Sequence, residues 1–434
     1  MINISNFLKT SLVYLILQSF IVILYFMSYI PPWIFVIFIT ILFISSKPKL
    51  LFSPKNIVFA YYLIWYGIAP QFATRFSGYL FNTKEENLAY LMFFGTYGIL
   101  IVLLTLFETL FSKKTINHYL NSNESSNNAN KRMSIIAKFS FVSTFIFLIA
   151  FIEKTGGIQY WLVDSTMAYI GRRGAGIYYL LFTHSFMIYC VAIGYFIYIK
   201  KNVKLFFFQM LTILILFPFI GSKAKVILMV LITISYFIIN NRTFSKLTIG
   251  IGLASFIIFG LGIYQRNITW MKLNDFIPYT LNYFNTLEMF MITLRDFEPS
   301  FMVTFLLPFN KILLHFGEYI SVPFSDISVW LSSIYYPKAH ALGATEQWPI
   351  EADMYMSFYY IFALPVLAVY SYWLGFAFNK AQEGYVSWLL IYSLEFVLIL
   401  SHLRGGLLSW GYIYFIFFYI FALIIFGNIR VNRR

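Results

Sequence analysis

Nearly unbroken apolar runs of 16–24 residues recur twelve times in this chain, near 11–30, 31–46, 56–72, 88–111, 138–153, 177–199, 205–220, 224–240, 247–264, 358–378, 386–402 and 406–427. The hydrocarbon core of a bilayer is ~30 Å thick, and a helix crosses it in about 20 residues. Outer-membrane barrels need ~10-residue segments of alternating polarity, which these runs do not show. With 60% hydrophobic residues, 11% charged residues and a mean hydropathy of +0.76, the chain does not read as soluble domains. The expected fold is an all-α polytopic membrane protein with about 12 transmembrane helices.

The runs divide the chain unevenly. Residues 1–264 are expected to carry nine spans, with a polar low-complexity linker at 112–137 that contains Asn-Ser-Asn-Glu-Ser-Ser-Asn-Asn-Ala-Asn. Residues 358–434 carry three more. Between them, 265–357 forms a connection of 93 residues, far longer than ordinary loops. Its apolar stretches, Phe301 to Leu307 and Ile312 to Phe316, predict an ordered loop with short helices on the outer membrane surface. The second run begins at Pro31-Pro32 and predicts a tight hairpin with the first. The first run follows ten mostly polar residues without a small-residue cleavage site, and reads as a retained span.

The formal charge of +14 would suggest nucleic acid in a soluble protein. Basic loops, however, stay in the cytoplasm, and with both termini inside 18 of the 31 Lys and Arg fall there, opposed only by Glu108, Glu124 and Glu383. The outer side balances 13 basic against 13 acidic residues. The charge is therefore a topology signal, and nucleic acid is not an expected partner. Cys190 is the single cysteine, which excludes an intrachain disulfide and a Cys-based metal cluster.

Six arginines on the outer side run against the topology bias: Arg75, Arg172, Arg173, Arg266, Arg295 and Arg404. Each has a plain reading as a partner for an outer acid or a lipid headgroup. As a set they supply planar donor forks suited to phosphate oxygens. Arg404 is followed by Gly405 and Gly406, where a bulky anion can approach the backbone. Gly221-Ser-Lys-Ala-Lys225 is a possible anion site, although lysines snorkelling to the interface explain it equally well.

The end of the long loop, Glu346-Gln-Trp-Pro-Ile-Glu351-Ala-Asp353-Met-Tyr355, brings three carboxylates, a Trp and a Tyr to the tenth run. Carboxylates activate hydroxyl nucleophiles and aromatic faces stack on sugars, while an interfacial belt has similar composition. The five histidines lack metal-ligand spacing, so no metal site is expected; His340 is a candidate loop base. Glu395 lies within a span and needs a partner, a proton or a wet cavity. No P-loop, GxSxG, HExxH or dinucleotide fingerprint occurs, so no cofactor is expected and any driving force has to arrive in the substrate.

The pattern resembles the Wzy-type O-antigen, or oligosaccharide repeat-unit, polymerases of bacterial envelopes. As topology the likeness covers nearly the whole chain: about twelve spans, inside termini and one large outer loop late in the sequence. Three short motifs carry it at residue level. Gly221-Ser-Lys-Ala-Lys is similar to the family's Gly-Ser-Arg turn, with Lys223 where Arg is common. Trp348-Pro-Ile-Glu-Ala-Asp-Met-Tyr-Met-Ser-Phe-Tyr resembles the segment entering the next span; Asp353 and Tyr355 fit, whereas Ser357 and Tyr359 depart from it. Arg404-Gly405 resembles the Arg-Gly that opens the last span.

The resemblance implies a metal-independent glycosyltransferase of the inner membrane. The growing glycan on undecaprenyl diphosphate would be the donor and the next lipid-linked repeat unit the acceptor, on the periplasmic face and alongside membrane lipid and a chain-length regulator. Asp353, with Glu351 and His340 as alternatives, would be the catalytic base. Arg404, Arg172, Arg173, Arg266, Arg295 and Lys223 would hold the diphosphate. An O-antigen ligase, whose outer loop relies on an Arg and His pair, is a second reading that His340 keeps open. A lipid-linked oligosaccharide flippase or other transporter is a third, opposed by the long loop, the nearly uncharged spans and the lack of an internal repeat.

Overall fold

The computed structural model describes residues 4–72, 83–112, 126–163, 168, 174–220, 223–239, 277, 281, 284–341, 345–408 and 410–431. Among them most residues are helical, with two isolated β-bridges, Phe301 to Phe358 and Tyr385 to Arg430, and no strands. Among the described residues seven helices are long and apolar enough to cross a membrane, and three shorter apolar helices cover Pro32–Ser45, Lys225–Ile238 and Ile413–Phe426. The chain is a multi-pass α-helical membrane protein. The ninth apolar run, 247–264, lies outside the described residues.

In chain order the helices are α1 (Ile4–Phe26), α2 (Pro32–Ser45), α3 (Pro54–Tyr62), continued by a π-helical turn (Leu63–Ile68), α4 (Ala69–Phe72) and α5 (Thr83–Ser112). Then follow α6 (Ser126–Lys154), α7 (Gly157–Val163), α8 (Gly176–Lys200), α9 (Val203–Ile220) and α10 (Lys223–Ile238). Short helices occupy much of 287–358: α11 (Leu287–Asp296), α12 (Asn310–Leu313), α13 (Ile327–Tyr335), α14 (Pro337–Ala341) and α15 (Ile350–Phe358). The chain ends with α16 (Leu364–Gln382), α17 (Val386–Leu403) and α18 (Trp410–Phe426).

These residues form two compact units. The first takes Met1–Lys113, Arg242–Phe376 and Leu398–Ile413. Here α5 is the central post, packed by α1, α2, α3 and α11. Pro32 opens α2 with its φ already set for a helix, and the buried Ile30 N–H just before it donates to Asn87 Oδ1 of α5 at 2.7 Å. Aromatic rings fill the centre: Tyr66 stacks on Phe93 with centroids 3.7 Å apart, and Phe93 meets Phe290 of α11 at 5.1 Å.

The second unit takes Lys114–Asn241, Ala377–Val397 and Tyr414–Arg434. Helix α8 is its post, packed by α6, α9 and α10. Gly194 permits the close approach of α10, because a Cβ there would lie 2.5 Å from the Thr233 carbonyl oxygen. The Glu395 carboxylate, within α17, accepts from the Tyr419 hydroxyl of α18 at 2.7 Å. Large apolar side chains point outward on α1, α6, α9 and α18, among them Leu12, Phe139, Leu214 and Phe417, as a lipid-facing surface requires.

Candidate active site

Helix α15 begins immediately after Trp348-Pro349, where the buried Trp348 backbone N–H donates to Ser328 Oγ at 3.1 Å and Pro349 stands extended as the N-cap. Glu351 and Asp353 therefore sit in the first turn, whose free N–H groups favour negative charge. Both side chains are fully or nearly fully buried. At the other end α15 stops at Tyr359 and Tyr360, two consecutive non-glycine residues with positive φ, +49° and +63°. Such a pair is held only when its surroundings over-determine it. Here the Tyr360 N–H bonds Met354 O at 2.7 Å, and its hydroxyl reaches α5, donating to Met92 O at 2.6 Å and meeting Thr96 Oγ1 at 2.9 Å.

Glu351 enters a nest of phenols. Tyr62 donates to Oε1 at 2.5 Å and Tyr66 to Oε2 at 3.4 Å; the Tyr66 hydroxyl is 3.1 Å from that of Tyr61. The π-helical turn at 63–68 brings residues five apart into register, which is why Tyr61 and Tyr66 meet. Burial pushes the Glu351 carboxyl up to about 7, against the lowering effect of the Tyr62 hydrogen bond.

Asp353 faces a different set of groups. Its Oδ1 accepts from the Thr304 hydroxyl and, at 2.9 Å, from the Ser357 hydroxyl, while Oδ2 accepts from the Leu407 backbone N–H at 2.8 Å. Ser357 Oγ in turn accepts from the N–H groups of Thr304 and Phe305, at 2.8 and 3.1 Å. Burial raises the Asp353 pKa, and these donors pull the other way. One carboxylate thus ties together α15, the segment at 304–305 and the Arg404-Gly-Gly-Leu407 turn.

That turn places Arg404 beside the nest. Tyr61 donates to Leu403 O at 2.9 Å, and the Arg404 guanidinium lies within electrostatic reach of the Tyr61 hydroxyl. Arg404 is half-buried, and makes no hydrogen bond or ion pair with another described residue. Gly406 has φ +109°, and a Cβ there would lie 3.1 Å from Asp353 Oδ2, so both the turn and the carboxylate require glycine.

The structure therefore brings three of the sequence-derived residues, Glu351, Asp353 and Arg404, to one place. It does not bring Arg295 or His340 into contact with them. Arg295 spends its fork on Asp296, at 2.6 and 2.8 Å, and this bond holds the Asp296 carboxyl below its ordinary range. His340 lies on α14 with its ring against Phe324. Arg172, Arg173 and Arg266 lie outside the described residues, as does the side chain of Lys223, the first residue of α10. The neighbouring Lys225 donates to Tyr179 Oη at 2.7 Å. Tyr61, Tyr62 and Tyr66 were not among the sequence candidates. Their only signal is the run Tyr-Tyr-Leu-Ile-Trp-Tyr within an apolar segment, which aromatic packing explains equally well.

Among the described residues no group of three or more His, Cys, Asp and Glu side chains is placed to hold a metal ion. Comparisons with protein-family models, with curated proteins and with solved structures give no match to this chain.

Proposed function

We propose that this chain is a bacterial inner-membrane polymerase of surface polysaccharide, with twelve spans, cytoplasmic termini and the 265–357 loop on the periplasmic face. It transfers the growing glycan from undecaprenyl diphosphate to the next lipid-linked repeat unit. The observation that carries the reading is the junction of a half-buried arginine with a buried carboxylate through tyrosine hydroxyls: Arg404, Tyr61, Tyr66 and Glu351.

In this reading a hydroxyl of the incoming repeat unit attacks C1 of the growing glycan. The C1–O bond to the diphosphate breaks, and undecaprenyl diphosphate departs with the bonding electron pair. Arg404 holds the diphosphate oxygens, because its planar fork matches them and stabilises the charge they gain. The acceptor hydroxyl gives its proton to the Tyr66 oxygen as Tyr66 passes its own proton to Glu351 Oε2, while Tyr61, whose proton is held by Leu403 O, keeps Tyr66 in place. A carboxyl held near neutrality suits general-base work, since it is ionised in an adequate fraction and still basic enough to accept. Asp353 and His340 remain candidates from the resemblance. The donors around Asp353 favour a positioning role for it, fixing the turn that presents Arg404.

Two experiments test the proposal. In a strain lacking the gene, gels of surface polysaccharide should show lipid A core capped by a single repeat; loss of all capping with lipid-linked polymer retained identifies a ligase instead. Complementation with Arg404→Lys should lose most chain elongation, about 10- to 100-fold, at normal membrane abundance, because Lys is a point charge without the bidentate fork. A fully active Lys variant removes Arg404 from the diphosphate site. The topology is checked separately: a reporter active only in the periplasm should work fused near Ser300 and fail fused near Asn127, and activity at Asn127 overturns the orientation.

A further inference from the structure

The second unit contains a cavity of about 660 Å³ formed by α6, α8 and the last turns of α18. On α6 its lining residues run from 128 to 143 at three- and four-residue spacings, so they form one continuous helix face. On α8 they are Ser185 and Ile188, one turn apart, and on α18 Phe421, Ile424 and Ile425. The cavity is charged at one end and mainly apolar along its body, where Ser140, Ser143 and Ser185 are the polar residues. Asn128, Lys131 and Arg132 stand at the polar end, followed by Ile135 and Phe139, and none of the lining residues is acidic.

The two cations are arranged differently. Arg132 donates to the carbonyl oxygens of Ile425, at 2.7 Å, and Ile424, at 3.3 Å, near the C-terminus of α18. This caps carbonyls that lack helical partners and uses only part of a five-donor fork. Lys131 is exposed and makes no hydrogen bond or ion pair with another described residue. Gly427 ends α18 with φ +51°, and a Cβ there would come within 3.3 Å of the Arg132 guanidinium. A side chain at 427 would therefore crowd the seat of Arg132.

We propose that this cavity is a binding site for an anionic glycerophospholipid, with its headgroup phosphate at Lys131 and Arg132 and an acyl chain along α6 and α18. Charge complementarity selects the headgroup, since the cations meet no lining acid. Dimensions select the chain. From residue 131 to 143, α6 rises ~18 Å, close to the ~15 Å hydrocarbon of one leaflet. Basic pockets between transmembrane helices take anionic headgroups for the same electrostatic reason. The occupant seals α18 against α6 at the basic end, independently of the carboxylate site in the first unit.

The test uses the full chain purified in neutral detergent. Bound lipid is counted by native mass spectrometry, and thermal unfolding is followed with dioleoyl phosphatidylglycerol, dioleoyl phosphatidylcholine or inorganic phosphate added. Phosphatidylglycerol should be retained and should raise the unfolding temperature, while phosphatidylcholine and phosphate should do neither. Lys131→Gln with Arg132→Gln should weaken phosphatidylglycerol binding about 30-fold, the effect of removing two cations near an anionic headgroup. Because Arg132 also caps α18, Lys131→Gln alone is the second variant; it should weaken binding about fivefold with unfolding in lipid-free detergent unchanged. Ser143→Phe, which fills the apolar body and leaves the cations in place, should also expel the lipid. Equal binding of the two lipids, full binding by these variants, or the same stabilisation by inorganic phosphate overturns the proposal.

Discussion

Glu351 and Asp353 stand two residues apart on one nine-residue helix, and both are buried, yet their surroundings differ in kind. Asp353 is held by two short-chain hydroxyls and a backbone N–H that belong to three separate segments. Its acceptors are taken up in fixing the backbone. Glu351 is approached by phenols, which can donate, accept and pass a proton on. A carboxylate held by aliphatic hydroxyls and a backbone N–H, all far weaker acids than phenols, organises structure. One held by phenols, whose ordinary pKa is ~10, can also exchange protons. That difference separates two residues that the local sequence leaves equivalent.

The largest effect expected from this contrast is on Glu351. Glu351→Gln keeps the shape and removes the base, so chain elongation should fall about 10²- to 10⁴-fold at unchanged membrane abundance, measured as modal polysaccharide length. Wild-type length would return the role of base to Asp353 or His340. In wild type, activity should rise as pH increases through about 7, because below that pH Glu351 keeps its proton and cannot accept another. The sign for stability is opposite. Between the ordinary Glu pKa of ~4.3 and about 7, the folded chain holds a proton that the unfolded chain has released. Stability should therefore fall as pH rises across that window and level off above it.

Asp353→Asn should act mainly on the fold. An amide turns acceptor capacity into a donor, leaving one of the buried donors around it without a partner at a cost of about 1–3 kcal/mol. Thermal stability in detergent should drop, while elongation per folded molecule changes less than about tenfold. Gly406→Ala should reproduce this pattern, since it strains a φ of +109° and crowds the same carboxylate. A per-molecule loss for Asp353→Asn as large as that for Glu351→Gln would erase the distinction between the two sites.

The smallest effect sharpens the contrast further. Tyr62→Phe removes the shortest bond to Glu351, one that lowers its pKa. The midpoint of the pH–activity profile should move upward, with only a few-fold loss of rate at high pH. A midpoint that stays in place would mean that the profile reports another group.

The sequence by itself determined that this is a helical membrane protein, because the solvent imposes that pattern: crossing a ~30 Å apolar slab takes about 20 residues that can all face lipid or one another. Each run with described residues contains a helix, including the short α2 that begins at the Pro31-Pro32 step, but the bounds differ: α6 begins at Ser126, inside the expected polar linker, and the tenth run is broken at Tyr359-Tyr360. Arg404, Glu351 and Asp353 were also legible as candidates, because charge beside apolar runs is costly and stands out. What the sequence left open was their grouping. Tyr61 and Asp353 lie almost 300 positions apart and meet the same 403–407 turn. The π-helical turn that aligns Tyr61 with Tyr66 leaves no mark in an apolar run rich in aromatics. Arg295 looked like the other outer arginines until Asp296 took its fork. Partition into the bilayer depends on each segment's own composition, so it can be read along the chain. Hydrogen-bond partners depend on which distant segments pack together, and only the tertiary structure decides that.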